Sequence, residues 1–159
     1  MARGTRATTV AERAHVAFRT HEYAHDRTMR EYGIEAVERL GLDPERVFKT
    51  LVVVTPAGDH AVAVVPVART LDLKALATTL RVKSVAMADP TDAERVTGYL
   101  RGGISPLGQK RRLPTVVDAS AEAFETVFVS GGQRGLEIEL APADLVGLTG
   151  ATVAAVART

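Results

Sequence analysis

Two β-branched runs joined by a short turn constrain the fold of this chain more than any other feature. The runs are Lys49–Thr55 and His60–Pro66, and valine is the commonest residue in both. Pro56, Gly58 and Asp59 stand between them and are typical turn residues. Because β-branched residues favour strands and a turn this short connects antiparallel neighbours, the sequence predicts a β-hairpin here.

A helix, a strand and two further helical pieces are predicted before the hairpin. A threonine cap at position 8 or 9 predicts a helix through Val10–His15, and alternating apolar residues predict a half-buried strand over Val16–Tyr23. A second helix is expected to stop at Gly41, because apolar residues recur before it at helical spacing, at Ile34, Val37 and Leu40. Asp43-Pro44 predicts one further helical turn.

Short helices and strands continue to the C-terminus. Asp72 can cap a helix with one apolar face, Asp89-Pro90 opens a helix toward Val96, and another helix begins at Pro142. The segment Ala151–Ala157 fits either a strand or a helix. Short strands are predicted at Val85–Ala88, Thr115–Val117, Thr126–Ser130 and Leu136–Leu140.

The mixture of hairpin-linked strands and short helices indicates the fold class. A chain of 159 residues with 46% hydrophobic residues fits one globular domain over 1–159, with residues 1–8 flexible. The elements do not follow a strict βαβ alternation. We therefore predict an α+β fold, that is, a mixed α/β arrangement built on a mixed sheet.

Composition excludes several classes of protein and site. The chain has no cysteine, which removes thiolate nucleophiles, CxxC redox pairs and cysteine-ligated zinc. Its apolar runs, such as Leu51–Val54, are far shorter than the ~20 residues that span a bilayer. The first ten residues also lack the apolar stretch of a secretory signal, so we expect a cytoplasmic protein without a membrane partner. The net charge of +1 argues against coating of nucleic acid by bulk charge.

The segment Gly102–Pro114 is the richest in potential chemistry. Three glycines and a proline fix an irregular backbone whose N–H groups can converge on an oxyanion or a phosphate. A basic cluster follows at Lys110, Arg111 and Arg112, which suits a polyanionic ligand. A solvated surface loop with a charged tail fits the same composition, and the GxxxxGK[ST] pattern of a P-loop is absent.

Two further features could contact a ligand. The turn Ser130–Gly135 holds more glycine than a hairpin needs, so its backbone is expected to approach a ligand or the first glycine loop closely; an ordinary hairpin turn is the alternative. Lys49 stands at the mouth of an apolar strand, where a partly desolvated ammonium would donate strongly to a carbonyl or phosphate oxygen. A strand-end lysine that reaches to water is the alternative.

The sequence disfavours two other kinds of site, a metal or acid/base site on the first strand and a Ser-His-Asp triad. His21, Tyr23 and His25 would share one face of the first strand and could hold a metal or move a proton. No Glu/His pair at helical spacing accompanies them, so the sequence weighs against zinc. Ser105 or Ser130 could complete a Ser-His-Asp triad on paper, but neither lies in a GxSxG elbow, and we reject that interpretation.

Three separated motifs resemble the YbaK/EbsC family, free-standing relatives of the editing domain inserted in bacterial prolyl-tRNA synthetases. The motifs are Val47–Leu51, Gly102–Pro114 and Val129–Leu136, and they occur in the family's order. The resemblance runs from about Val16 to the C-terminus and is closest to the YbaK branch. It implies a single domain with a mixed, partly barrel-like sheet flanked by short helices.

The resemblance implies a trans-editing aminoacyl-tRNA deacylase that removes cysteine from mischarged tRNA(Pro). A binding pocket separates near-isosteres such as cysteine and proline by only ~1–3 kcal/mol, so a second, hydrolytic site is physically reasonable. In such proteins the substrate's own thiol is thought to attack the ester carbonyl. That mechanism needs no metal or cofactor, and the implied partners are the acceptor end of tRNA(Pro) and prolyl-tRNA synthetase.

The resemblance also assigns roles to individual residues. The family's essential lysine matches Lys49, and the loop that steadies the oxyanion matches Gly102 and Gly103. The substrate-binding positions match Tyr23, Ser130, Gly131 and Glu137, with Glu137 in place of an aspartate. We further predict that the basic cluster contacts the acceptor-end backbone of the tRNA.

Two alternatives stay open on the sequence alone. One is an editor of the same fold that acts on alanyl- or seryl-tRNA. The other is a non-catalytic module that binds a tRNA end or a nucleotide. Deacylation measured on a panel of mischarged tRNAs separates all three.

Overall fold

The computed structural model describes residues 4–26, 28 and 31–159, which form five α-helices, one short 3-10 helix and ten strands. The helices are α1 (Arg6–Arg13), α2 (Tyr32–Leu40), α3 (Leu73–Leu80), α4 (Pro90–Thr97), the 3-10 helix Ala119–Ala123 and α5 (Pro142–Thr149). The strands are β1 (Phe18–Glu22), β2 (Phe48–Val54), β3 (His60–Pro66), β4 (Thr70–Leu71), β5 (Ala86–Met87), β6 (Thr115–Asp118), β7 (Val127–Ser130), β8 (Leu136–Leu140), β9 (Thr152–Ala154) and β10 (Ala157–Arg158). None of these helices is long and apolar enough to cross a membrane.

The predicted hairpin forms the centre of a five-stranded mixed sheet. Strands β2 and β3 pair antiparallel from Phe48 opposite Pro66 to Val54 opposite His60, so the hairpin prediction is confirmed. The sheet has the order β5-β2-β3-β6-β9, with β6 parallel to β3 and β9 parallel to β6. This mixture of directions within one α+β domain confirms the predicted fold class.

A second, antiparallel sheet of three strands, β1-β8-β7, packs beside the first. A bridge between Val47 and Phe128 links the two sheets, and the N–H of Phe128 donates to the backbone oxygen of Arg46 at 2.9 Å. Strands β4 and β10 form a separate pair. Both larger sheets have open edges throughout the described part of the chain, so neither closes into a barrel.

Strand β3 is buried on both faces, which explains its uninterrupted apolar run. Val62 and Val64 join a core shared with the three-stranded sheet, which includes Val129 and Ile138. Their neighbours along the strand point to the opposite face and pack beneath helix α3, in a cluster that includes Ala63, Val65 and Leu76. A central strand covered on both sides reads as continuous hydrophobic sequence rather than as an alternating one.

The N-terminal helix differs from its prediction. It starts at Arg6, because Thr5 is the N-cap and forms a reciprocal capping box with Thr8. The position-8 or -9 cap was therefore wrong, and residues 5–8 are packed rather than free, with Ala7 and Thr8 buried. Met1 to Arg3 of the segment expected to be flexible lie outside the described residues.

The structure decides two other local predictions. Asp43-Pro44 begins only a turn, in which the N–H of Arg46 donates to the Asp43 backbone oxygen at 2.9 Å. The ambiguous C-terminal segment forms strands β9 and β10, and the Asp118 carboxylate accepts from the N–H groups of Val156 and Ala157 at 2.9 Å each. This long-range contact is invisible in the local sequence.

Candidate functional site

A cavity of about 490 Å³ collects five of the predicted site residues. They come from the start of β2, the end of β7, strand β8, the segment after β1 and the first glycine loop: Lys49, Ser130, Glu137, Tyr23 and Gly102. The bridge between Val47 and Phe128 explains the convergence, since it sets the start of β2 beside β7. Helix α2 closes one side of the cavity with Tyr32 and Ile34.

Lys49 is half-buried in the cavity wall. Burial lowers the pKa of its ammonium group below the usual value of 10.5. No carboxylate within the described ranges forms an ion pair with it. A cation held partly out of water without a counter-charge favours an anionic ligand or a developing negative charge.

Thr50 is a cavity-lining residue that the sequence analysis missed. Its hydroxyl oxygen is buried and, among the described side chains, is the one buried polar atom without a hydrogen-bond partner. A buried hydroxyl without a partner costs free energy, and such groups are rare in folded proteins. A threonine after a strand lysine carries no local signal, so only the structure could identify this group.

Glu137 is the most deeply buried acidic group of the cavity, with 6% of its surface exposed. Burial raises its pKa from 4.5 to about 8, so the carboxyl carries a proton at neutral pH. On the neighbouring strands it lies opposite Ser130 and His21. Burial, followed by the charge of Glu137, raises the pKa of Tyr23 to about 12, so that phenol also keeps its proton.

The opposite environments of Glu137 and Glu139, two residues apart on β8, predict opposite pH dependences of stability. The folded-state pKa of Glu137 lies above its ordinary value, so the free energy of unfolding should fall as pH rises from about 4.5 to about 8. Glu137→Gln should remove this fall and stabilise the protein at pH 8. The hydrogen bond from Thr126 lowers the pKa of Glu139, so Glu139→Gln should destabilise it above pH 4.5. Urea unfolding across this pH range measures both, and equal slopes in the two variants would contradict the assignment.

The two glycine loops pack directly on each other. This agrees with the predicted close approach of the turn Ser130–Gly135 to the first glycine loop. A Cβ at Gly103 would lie 2.7 Å from the Cα of Gln133 in the turn Ser130–Gly135. Gly103 is therefore at the contact between the loops, whereas a Cβ on Gly131 would lie 2.6 Å from the Leu136 side chain; neither residue lines the cavity. Gly102 does line it and adopts φ +87°, a backbone conformation that favours glycine.

Gly103→Ala should destabilise the protein by about 1–3 kcal/mol, because the new methyl group meets backbone that cannot move aside. Gly147→Ala is the matched control. A Cβ at Gly147, inside α5, meets nothing within 4 Å and should stabilise that helix by about 0.5–1 kcal/mol. Chemical denaturation of both variants measures the difference, and equal free energies of unfolding would contradict the packing of one loop on the other.

Helix α1 supports the second glycine turn, a role that the sequence did not reveal. The Thr5 hydroxyl donates to the Gly131 backbone oxygen at 2.5 Å. A Cβ on Gly132, which has φ +98°, would lie 2.9 Å from the Tyr99 ring. Thr5 and Tyr99 therefore both contact the turn that carries Ser130.

The basic cluster Lys110–Arg112 lies outside the cavity, on the surface. The backbone N–H groups of Lys110 and Arg111 donate to carbonyl oxygens in the last turn of α4, at 2.8 Å and 3.3 Å. The Arg112 guanidinium is close to Gly150, which ends α5. The cluster is exposed and remains a predicted contact for a nucleic-acid backbone rather than part of the pocket.

His21 and His25 do not join the cavity lining. The Nε2 atom of His21 pairs with Oε1 of Glu139 at 2.9 Å. No group of three or more His, Asp or Glu side chains close enough to hold a metal occurs in the described ranges.

A larger cavity, about 650 Å³, includes Arg46 and Glu139, but none of the predicted site residues lines it.

Comparison with known proteins agrees with these motifs. Residues 29–148 match the family described as an aminoacyl-tRNA editing domain. A curated protein of Enterococcus faecalis (strain ATCC 700802 / V583), named "Putative Cys-tRNA(Pro)/Cys-tRNA(Cys) deacylase EbsC", is 40% identical over 146 residues. The match covers 91% of this chain and 88% of that protein.

Solved structures share the fold over nearly the whole chain. One, described as "hypothetical protein APE2540", superposes with a TM-score of 0.86 at 25% identity and covers 97% of this chain and 100% of its own. Another, described as "a putative trans-editing enzyme for prolyl tRNA synthetase", has a TM-score of 0.80 at 24% identity, with 97% and 96% covered. These similarities establish the arrangement of helices and sheets described above.

Proposed function

The chain belongs to the aminoacyl-tRNA editing domain family, and from this premise we propose that it removes cysteine from mischarged Cys-tRNA(Pro) in trans. The E. faecalis relative carries the name of a deacylase for Cys-tRNA(Pro) and Cys-tRNA(Cys), which supports the choice of cysteine. The catalytic residues are Lys49 and Gly102, and the substrate-binding residues are Tyr23, Ser130 and Glu137, to which the cavity adds Thr50. Gly103 and Gly131 support the loops from outside the cavity, because their N–H groups donate to the backbone oxygens of Leu100 and Leu136 at 2.9 Å and 2.8 Å.

The observation that carries this proposal is a cavity in which Lys49 forms no ion pair with any described residue and the buried carboxyl of Glu137 has a raised pKa. The raised pKa values, about 8 for Glu137 and about 12 for Tyr23, favour the protonated forms of both groups at neutral pH and so disfavour either as the base for an attacking water. The chain also has no cysteine to act as a nucleophile. Such a site suits a substrate that brings its own nucleophile and needs positioning and charge stabilisation from the protein.

The proposed reaction uses the thiol of the esterified cysteine. Its sulfur bonds to the ester carbonyl carbon, and the bond from that carbon to the ribose oxygen breaks. The ribose oxygen keeps the electron pair of the broken bond and takes up the proton that the thiol loses, which leaves a thiolactone and a free tRNA with its ribose hydroxyl restored. Lys49 binds the 3′-terminal phosphate or ribose region, and the backbone N–H of Gly102, which lines the cavity, stabilises the oxyanion.

The proposal is tested by adding purified protein to Cys-tRNA(Pro) in the presence of a chelator. Release of cysteine well above the spontaneous rate is expected, because no step requires a metal. Activity that disappears with chelator and returns with a divalent metal would contradict the mechanism. Tight tRNA binding without release would favour a binding module instead.

The basic cluster should contribute to binding rather than to chemistry. Replacing Lys110, Arg111 and Arg112 by alanine should raise KM and leave kcat nearly unchanged, because these side chains lie outside the cavity. The slope of log KM against log salt should fall by about 0.7–0.9 for each phosphate that the variant no longer neutralises. A variant with alanine at the exposed Lys74, Lys83 and Arg158 removes the same charge elsewhere and serves as the control. An unchanged KM and salt slope in the first variant would place the tRNA path on another surface.

A further inference from the structure

Arg134 connects several walls of the cavity without lining it. Its Nε and Nη2 atoms donate to Oε1 of Glu35 at 3.2 Å and 3.1 Å. Nη2 also donates to the backbone oxygen of Asp26, and the guanidinium lies over the Tyr32 ring, 4.7 Å from its centroid. Glu35 is 2% exposed and the Arg134 side chain 16%, so the carboxylate end of this ion pair is buried and the guanidinium end borders the surface.

Glu35 completes the connection from helix α2. Its second oxygen, Oε2, accepts from the backbone N–H of Asp26 at 2.7 Å. The N–H and the carbonyl oxygen of Asp26 are thus held by Glu35 and Arg134 respectively. Three residues earlier, the N–H of Tyr23 donates to the backbone oxygen of Gly135 at 2.9 Å. The segment that carries Tyr23 is therefore fixed at both ends to the turn that contains Arg134.

The same guanidinium side chain also borders the first glycine loop. A Cβ on Gly102 would lie 3.2 Å from the Cδ atom of Arg134 and 3.2 Å from the Tyr32 ring. Gly102, Tyr23 and Tyr32 all line the cavity. The loop that carries Gly102, the segment after β1 and the first turn of α2 therefore meet at one buried ion pair.

We propose that Arg134 and Glu35 are positioning residues, which hold Tyr23 and Gly102 in the geometry that the deacylation step requires. The proposal rests on the proposed function. Replacing a buried ion pair by apolar residues of similar size is often neutral for stability, whereas removing one partner leaves a buried charge. An apolar pair could pack α2 against the turn but could not bind the backbone of Asp26. The pair is thus suited to fixing the conformation of this segment.

The double variant Arg134→Met/Glu35→Leu tests this role, because it removes the hydrogen bonds and leaves no unpaired charge. We expect it to melt near the wild-type temperature, with a KM for Cys-tRNA(Pro) close to wild type. Its kcat should fall at least tenfold, since a misplacement of about 1 Å can cost 10²-fold in rate. The variant Arg69→Met/Glu45→Leu removes another Arg–Glu pair, whose Nε–Oε1 distance is 3.0 Å and which lies away from the cavity, and should keep the wild-type kcat.

Hydrogen exchange provides a readout that does not depend on activity. In the Arg134→Met/Glu35→Leu variant the amide protons of Tyr23 and Asp26 should exchange faster than in the wild type, while those of β2 and β3 keep their protection. Wild-type exchange at both positions, or wild-type kcat in the folded variant, would overturn the proposal. If wild-type protein does not act on Cys-tRNA(Pro), the proposed function fails, and the exchange result alone decides whether the pair fixes this segment.

Arg134→Lys keeps the test decisive if the double variant does not fold. Lysine preserves the charge beside Glu35 but lacks the planar fork that reaches Glu35 and Asp26 together. An intermediate loss of kcat with an unchanged KM is expected. Full kcat in this variant would overturn the proposal.

Discussion

Lys49→Ala is expected to lower kcat/KM for Cys-tRNA(Pro) by about 10²-fold, because Lys49 holds the 3′-terminal phosphate or ribose region and a misplacement of about 1 Å can cost that much in rate. Lys49 makes no ion pair with any described residue, so its removal should leave the folded structure and its melting temperature close to wild type. Steady-state kinetics together with thermal unfolding measure both effects. Lys74→Ala, on the exposed face of α3, removes the same charge away from the cavity and should be fully active.

Lys49→Arg sharpens this result. Arginine keeps the positive charge, but its planar guanidinium does not reproduce a compact ammonium group in a half-buried position. The arginine variant should therefore remain far below wild-type activity. Near wild-type turnover by the alanine variant would mean that Lys49 merely reaches to water from the strand end.

Blocking the substrate's thiol is expected to reduce turnover to the spontaneous rate. If the thiol is the nucleophile, S-alkylated Cys-tRNA(Pro) has none to offer and should resist the enzyme. Holding a thiol at attack distance can supply up to ~7–11 kcal/mol of barrier reduction without an acid or base from the protein. Release of amino acid from labelled S-alkylated and unmodified substrates under identical conditions measures the difference.

Two observations check the blocked-thiol experiment. The S-alkylated substrate should compete with unmodified Cys-tRNA(Pro), which would establish that it still binds. Rapid hydrolysis of the S-alkylated ester would contradict the thiol mechanism. It would require an activated water, with an ionised Glu137 as the first group to examine for the base.

The sequence predicted most elements whose signals are local. The hairpin of β2 and β3 follows from two valine-rich runs and a turn, and α2 ends as predicted at Gly41, which adopts φ +64°. Strand β8 has the predicted bounds, because alternation and a glycine-rich turn delimit it. Helix α1 was misplaced, since its capping box uses a second threonine where glutamate or glutamine is the usual signal.

The candidate site was predictable where motifs recur and unpredictable where distant segments meet. Lys49, Gly102 and Ser130 stand within motifs that resemble a known family, and they converge on the cavity. Neither the unpaired Thr50 hydroxyl nor the ion pair of Arg134 with Glu35 has a sequence signal, since each depends on long-range packing. The sequence alone groups the basic cluster with the glycine loop. In the structure the backbone of the cluster is bound to α4, and its side chains lie outside the cavity.

The measurement that tests the central claim most directly is deacylation of four substrates by wild-type protein: tRNA(Pro) charged with cysteine, serine, alanine or proline. The account predicts rapid loss of cysteine, slow loss of serine because a hydroxyl is a far poorer nucleophile than a thiol, and spontaneous rates for alanine and proline. Alanine or proline released as fast as cysteine would contradict it, because neither side chain carries a nucleophile.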